Sequence, residues 1–222
     1  MTAATKPTRD EAATAPGDSW LLGIVLAVVT FWLFAQTLLN VIPGIQGSLG
    51  LGTTVANLAV SVTALMSGMF IVVLGGLADR LGRAMVLRAG IGLSILGSLL
   101  VALAPADQGA LTSAMIMGGR IVQGLSAAAV MPSSLALIKN FYDGAQRNRA
   151  LSFWSIGSWG GSGLCALFGG AMAESPLGWR SIFWLSIAIA VLSLYLIRNT
   201  PESRATDAGH QRGFDWAASS PS

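Results

Sequence analysis

Charge is what this sequence most lacks. Only 10% of its 222 residues are Asp, Glu, Lys or Arg, and there is none between Ser19 and Ala78. Soluble domains carry roughly 25%, so a chain that is 53% hydrophobic has too little polar surface for water. The single cysteine, Cys165, excludes an intrachain disulfide and offers no metal-ligand spacing. The single histidine, His210, lies in a polar C-terminal segment. No nucleophile–base set and no ligand cluster stands in the apolar runs, so neither an enzyme, a metal site nor a bound cofactor is expected. A secretion signal is missing as well. The residues before Trp20 are rich in Thr and Ala, contain Asp10, Glu11 and Asp18, and lack a basic start followed by an apolar core.

What the sequence does have is six apolar runs of membrane-crossing length, about 20 residues each. They are Trp20–Ile42, Thr54–Leu77, Met85–Leu103, Leu111–Ile138, Leu151–Met172 and Ser181–Ile197. Turn-like breaks separate them: "PGIQGSLGLG", "DRLGR", "APADQGA", "KNFYDGAQRNR" and "ESPLGWR". The expected fold is therefore an all-α membrane protein of six transmembrane helices. Residues 1–18 read as a disordered lead-in, 19–198 as the bundle, and 199–222 as a polar tail of linker composition.

The basic residues set the orientation. With the N-terminus inside, the inner segments hold Lys6, Arg9, Arg80, Arg83, Arg88, Lys139, Arg147, Arg149, Arg198, Arg204 and Arg212. The outer loops hold only Arg180, and Arg120 falls within the fourth run. That asymmetry predicts both termini in the cytoplasm by the positive-inside rule. It also accounts for the net charge of +3 without a nucleic-acid partner, for which no basic, aromatic-studded patch exists. Trp20, Trp179 and Trp184 near run ends fit interfacial anchors, or ordinary packing.

Glycine is abundant, 27 in all. In lipid, helices gain nothing from hiding apolar surface, so small residues that allow close backbone approach drive assembly. Gly157 and Gly161 stand at GxxxG spacing in the fifth run, with Gly169 and Gly170 beyond them; these are the expected helix-packing positions.

Several stretches carry a family resemblance. "GGLADRLGRAMVL" resembles the loop 2–3 signature of the major facilitator superfamily, through Gly75, Leu77, Ala78, Asp79, Arg80, Gly82, Arg83 and Leu87; Ala84 departs where a basic residue is usual. "GRIVQGLSAAAVMPSSLALI" resembles the fourth-span signature, with Arg120, Gln123 and Gly124 in register. "GWRSIFW" resembles the fifth-to-sixth junction of the fourteen-span drug:proton antiporters. Two departures weaken the antiporter likeness. Cys165-Ala166 replaces Gly-Pro in the fifth-span signature, and Ala35 stands at the first-span acidic position before Thr37 and Asn40.

The resemblance implies the N-terminal six-helix half of a secondary transporter for drug-like small molecules, in a bacterial inner membrane. It also implies that Gly75, Asp79, Arg80, Gly82 and Arg83 close the cytoplasmic side against the second half. A faint echo supports a 3+3 inverted repeat: Gly75-Gly76, Asp79, Gly82-Arg83 against Gly169-Gly170, Glu174, Gly178 and Arg180. Expected partners are membrane lipid, a small-molecule substrate, protons as coupling ion, and the missing C-terminal half or a second copy. The alternative is a truncated or partner-binding six-helix membrane protein without transport of its own.

Arg120 is the one charge well inside a run. Such a residue costs roughly 2.5–3.5 kcal/mol at a helix centre and marks a functional path. It is expected to face a central cavity, partnered by Gln123 on its own helix and by Gln36, Thr37 and Asn40 on the first. No carboxylate or histidine lies in any run, so coupling must use a residue outside this chain, or transport is coupled otherwise.

Overall fold

The computed structural model describes residues 17–176 and 178–203; side chains at positions 34, 36–40, 173 and 174 lie outside the described residues. Everything regular among them is helical. In chain order the helices are α1 (Asp18–Leu49), α2 (Thr53–Leu81), α3 (Arg83–Ala102), α4 (Ala110–Phe141), α5 (Gly144–Ser155), α6 (Gly161–Glu174) and α7 (Arg180–Ile197). A π-turn, Ile156–Gly160, joins α5 to α6 without a break, and that composite rod contains the expected fifth run. Among the described residues, α2, α3, α4 and α7 are long and apolar enough to cross a membrane; the described apolar part of α1 is Asp18–Leu33.

Several helix ends differ from the sequence reading. The first break was expected at Pro43, yet α1 continues through it to Leu49 and stops at Gly50, whose φ of 64° is left-handed. Proline removes one ladder bond, which neighbouring helices can offset in a membrane protein. Here Ile45 and Leu49 are buried, and Trp179 Nε1 donates to Ser48 Oγ at 2.8 Å. Packing therefore outweighs the local breaker. The second break shrinks to Gly82 alone, at φ 130° and ψ 129°, and the fourth to Tyr142 and Asp143 before α5 begins.

The packing follows a regular scheme. α4 packs chiefly on α2 and α3, α1 packs chiefly on α6 and α7, and α3 meets α7. One apolar cluster joins Trp20, Leu87, Ile91, Leu137 and Ile197. A second joins Val41, Ile45, Val101, Ile116 and Phe183. α4 is the central helix: 61% of its apolar window is buried, against 11% for α2. α2 presents Leu58, Leu65, Met69 and Val72 outward. Trp20 and Trp179 are buried, whereas Trp184 is exposed, so only Trp184 keeps the placement of an anchor.

Candidate functional site

Arg120 sits at the middle of α4 with its side chain 1% exposed. Its Nη1 donates to Gln123 Oε1 at 2.7 Å and its Nε to the Ala59 carbonyl of α2 at 3.1 Å. The i, i+3 spacing puts Arg120 and Gln123 on one face of the helix. Gln123 Nε2 in turn donates to Ser98 Oγ of α3 at 3.1 Å, which turns its amide oxygen toward the guanidinium. Thr63 Oγ1 donates to the Arg120 carbonyl at 3.0 Å. These partners are neutral oxygens. Gln123 was legible in the sequence; Ala59, Thr63 and Ser98 were not, because nothing in their spacing distinguishes them from other small residues of α2 and α3. Gln36, Thr37 and Asn40 lie on α1, but their side chains fall outside the described residues.

A cavity of about 430 Å³ opens beside this network, between α1 and α2 with Arg120 at its wall. Phe31, Trp32 and Ala35 supply the α1 side; Val60, Thr63, Ala64, Ser67 and Gly68 supply the α2 side. The Phe31 and Trp32 rings meet edge-on, with centroids 4.8 Å apart. A volume of a few hundred Å³ with aromatic walls and few polar groups is the ordinary make-up of a small-molecule pocket.

Close helix approach is what brings these groups together. A Cβ on Gly124 would stand 2.6 Å from Met66 Cβ and 2.7 Å from the Thr63 carbonyl. This places Gly124, grouped above with the cavity, at the α4–α2 contact. Gly97 of α3 and Gly119 of α4 face each other's carbonyls, each at 2.8 Å from the Cβ position. Gly157 and Gly161 face Val25 and Val29 of α1, at 2.7 and 3.6 Å. Gly169 is buried, and Gly170 has open space around its Cβ position.

The second candidate region lies at one end of the bundle. Asp79 pairs with Arg83, one turn on, at 2.8 Å, and Arg83 Nε also donates to it at 2.9 Å. Gly82 makes the bend between them. Its Cβ position is filled by the Glu202 carboxylate, so a side chain is excluded by space as well as by φ. Glu202 receives the Met85 amide at 3.3 Å, which satisfies an N-terminal donor of α3. It also pairs with Arg88 at 2.6 Å, and the Arg83 amide donates to the Ser203 carbonyl at 3.1 Å. Arg80 is exposed. Gly75 backs onto Pro132 of α4, 3.4 Å from its Cβ position, and with Asp79, Arg83 and Lys139 it borders a recess of about 320 Å³.

The same end gathers Arg149 with Asp18 at 3.3 Å and Arg147 with Asp143 at 2.6 Å. Trp20 Nε1 reaches Thr200 Oγ1 at 2.6 Å. Burial, then the Asp18 charge, push the Tyr142 phenol above its ordinary value. Glu202 is the functional residue that the sequence reading missed. The available signal was its position: it is the first acid after the sixth run, arriving where the arginines of two helix ends collect.

A bundle of long apolar helices, joined at tight bends and holding a buried arginine beside a cavity, has the build of a helical membrane protein. The Major Facilitator Superfamily model matches residues 23–220, and the chain belongs to that family. It is 51% identical over 200 residues to Quinolone resistance protein NorB of Staphylococcus aureus strain JH9, covering 90% of this chain and 41% of that relative. The protein of the same name from strain Newman matches equally. The chain thus spans about two fifths of the length of these curated relatives. Among solved structures, the crystal structure of peptide transporter POT (E310Q mutant) superposes with a TM-score of 0.67 at 18% identity, over 88% of this chain and 42% of that one. That likeness concerns the fold.

Proposed function

We propose that the chain is the N-terminal half of a secondary active transporter that exports drug-like small molecules, quinolones among them, across a bacterial plasma membrane. Six crossings, formed by α1, α2, α3, α4, the α5–α6 rod and α7, would leave both termini in the cytoplasm. The pairing scheme supports a 3+3 inverted repeat. The first helix of each triplet packs on the second and third members of the other, and the two third members meet. The bends at Gly82 and Gly178 are equivalent joints, and both glycines have positive φ, 130° and 68°. Gathering of Arg83, Arg88, Arg147 and Arg149 at one end supports the orientation.

In this reading Arg120, Gln123 and the α1 residues Gln36, Thr37 and Asn40 form the substrate and coupling path, with Gly124 setting the helix spacing. Gly75, Asp79, Arg80, Gly82 and Arg83 form the cytoplasmic gate, and Gly157, Gly161, Gly169 and Gly170 hold the fifth crossing in place. Protons would be the coupling ion, carried by an acid beyond residues 17–203. The observation that carries the reading is the cavity between α1 and α2 with a buried arginine at its wall.

Transport requires the counterpart half or a second copy, for which the outward apolar face of α2 is the available surface. The test is quinolone accumulation in bacteria stripped of their own efflux pumps. Cells carrying this chain joined to the C-terminal remainder of the staphylococcal relative should hold less drug, reversibly on collapse of the proton gradient. Cells carrying residues 1–222 alone should hold as much as controls. Accumulation unchanged by the joined protein would refute the transport reading.

A further inference from the structure

We infer that the groove between the start of α1 and α5 seats one anionic phospholipid, with its phosphate at Arg149 and an acyl chain along Leu22, Val25 and Phe153. The inference concerns how the chain sits in its membrane and does not depend on the transport reading. The groove has a volume of about 250 Å³ and is lined by Asp18, Leu21, Leu22 and Val25 of α1 and by Arg149 and Phe153 of α5. Asp18, Leu22 and Val25 stand at i, i+4 and i+7 of α1, and Arg149 and Phe153 at i and i+4 of α5. Each set therefore shares one helix face. Both faces are charged at the mouth of the groove and apolar within it. From Asp18 to Val25 the groove runs about 10 Å at the rise of an α-helix. It closes where α1 meets the π-turn: a Cβ on Gly157 would stand 2.7 Å from Val25 Cγ1.

The ion pair at the mouth differs from the others at this end of the bundle. Arg149–Asp18 has the longest separation of those described, 3.3 Å, and the most exposed arginine, with 60% of its side chain open. The guanidinium lies over the Phe153 ring, 5.6 Å from its centroid, which holds it above the groove. Its described hydrogen bond is a single one, from Nη2 to Asp18 Oδ2. A guanidinium has further donors for the two oxygens of a phosphodiester, and its planar fork suits them. The local field also favours an anion. Lys139 and Arg198 stand at the same end, with no ion pair among the described residues.

The groove divides as a phospholipid does, with charge in the hydrated interfacial layer and apolar walls toward the hydrocarbon. Leu22 and Phe153 are exposed. A protein helix laid over them would also cover Arg149 and Asp18 and strip their water, which is costly for charges. A headgroup leaves both wet. Anionic lipids are drawn to basic residues in general, but that attraction is diffuse, whereas here one guanidinium adjoins one apolar groove. Asp18 sets the terms of binding, because its carboxylate competes with the phosphate for the same guanidinium.

The experiment reconstitutes the whole chain in vesicles of phosphatidylglycerol and phosphatidylcholine in equal parts. The chain is extracted in mild detergent, and its retained lipids are identified by native mass spectrometry. One phosphatidylglycerol per chain should be retained, at least about tenfold over phosphatidylcholine, the scale of one charge-assisted contact. Arg149→Gln should bring the ratio close to one. Asp18→Asn should raise it, since the competing charge is gone. Arg198→Gln removes a cation from the same end but outside the groove, and should leave the ratio unchanged. Equal retention of the two lipids by the unaltered chain would overturn the inference. So would a preference that survives Arg149→Gln, one that falls on Asp18→Asn, or one that falls as far with Arg198→Gln as with Arg149→Gln. Displacement of the lipid by soluble glycerol phosphate would assign the site to a free phosphate ester. Loss of the lipid when the chain is joined to the C-terminal remainder of the staphylococcal relative would assign the groove to the counterpart half. Either result would refute the lipid seat.

Discussion

Two sets of arginines in this chain meet their surroundings in opposite ways. Arg83, Arg88, Arg147 and Arg149 stand at one end of the bundle, each within 3.3 Å of a carboxylate. Arg120 stands at the centre of α4, held by a carbonyl and an amide oxygen. The end residues pair with acids because water is near, the charges are cheap to keep there, and the pairs tie short bends together. Such exposed pairs contribute little each, about 0–1 kcal/mol. The central residue has given up water, its described side-chain partners are neutral oxygens, and it is far costlier to keep. A bundle that only needed to fold would place leucine there. The contrast separates an arrangement that holds helix ends from one that, on the proposed reading, is retained for what it can bind.

Substitutions can break that contrast. The largest effect is expected at Arg120: Arg120→Ala orphans Gln123 Oε1 and opens a void, costing about 3 kcal/mol and abolishing quinolone export by the joined protein. Thermal unfolding in detergent and drug accumulation would read the two losses. Next comes Gly124→Val, which sets new methyl groups against the Thr63 carbonyl and Met66 Cβ. A loss of about 1–3 kcal/mol is expected, with export falling as α2 and α4 separate around Arg120. A loss at Gly124 comparable to that at Gly170, where there is open space, would refute the close-approach account.

Smaller effects belong to the charged end. Glu202→Gln removes the Arg88 pair and a carboxylate at the α3 N-terminus, where the helix dipole favours negative charge. We expect a loss of about 0.5–1 kcal/mol, after allowance for solvent screening of these partly exposed groups, shrinking as salt is raised. Asp79→Asn breaks an exposed pair one turn apart and should cost only about 0.3–0.5 kcal/mol of stability. If Asp79 serves a gate rather than the fold, export should fall far more than stability does. Equal, small losses in both would reduce Asp79 to a surface residue.

Much of this was legible in the sequence, for physical reasons. The absence of charge over long runs fixes the solvent, and the solvent permits helices and little else. The Arg120–Gln123 pair was readable because both residues lie on one helix at a spacing that makes them neighbours. Contacts between distant segments were not. Nothing local announces that Glu202 folds back onto the bend at Gly82, more than a hundred positions earlier. Nor does local sequence show that Gly97 meets Gly119, since these glycines resemble the outward-facing Gly92 and Gly118. Pro43 misled in the other direction. Its local signal is to stop the helix, and burial of Ile45 and Leu49 together with the Trp179–Ser48 bond overrides it.

The central claim is that the cavity between α1 and α2 is a path for substrate, with Arg120 at its wall. Ser67→Cys, in the joined protein with Cys165→Ala to remove the native thiol, tests it most directly. The account predicts that a water-soluble maleimide labels Cys at position 67 in membranes and that nalidixic acid slows the labelling severalfold, while leaving a cysteine at the lipid-facing Val72 position unaffected. Labelling that is absent, or that proceeds at the same rate with and without the drug, would contradict it.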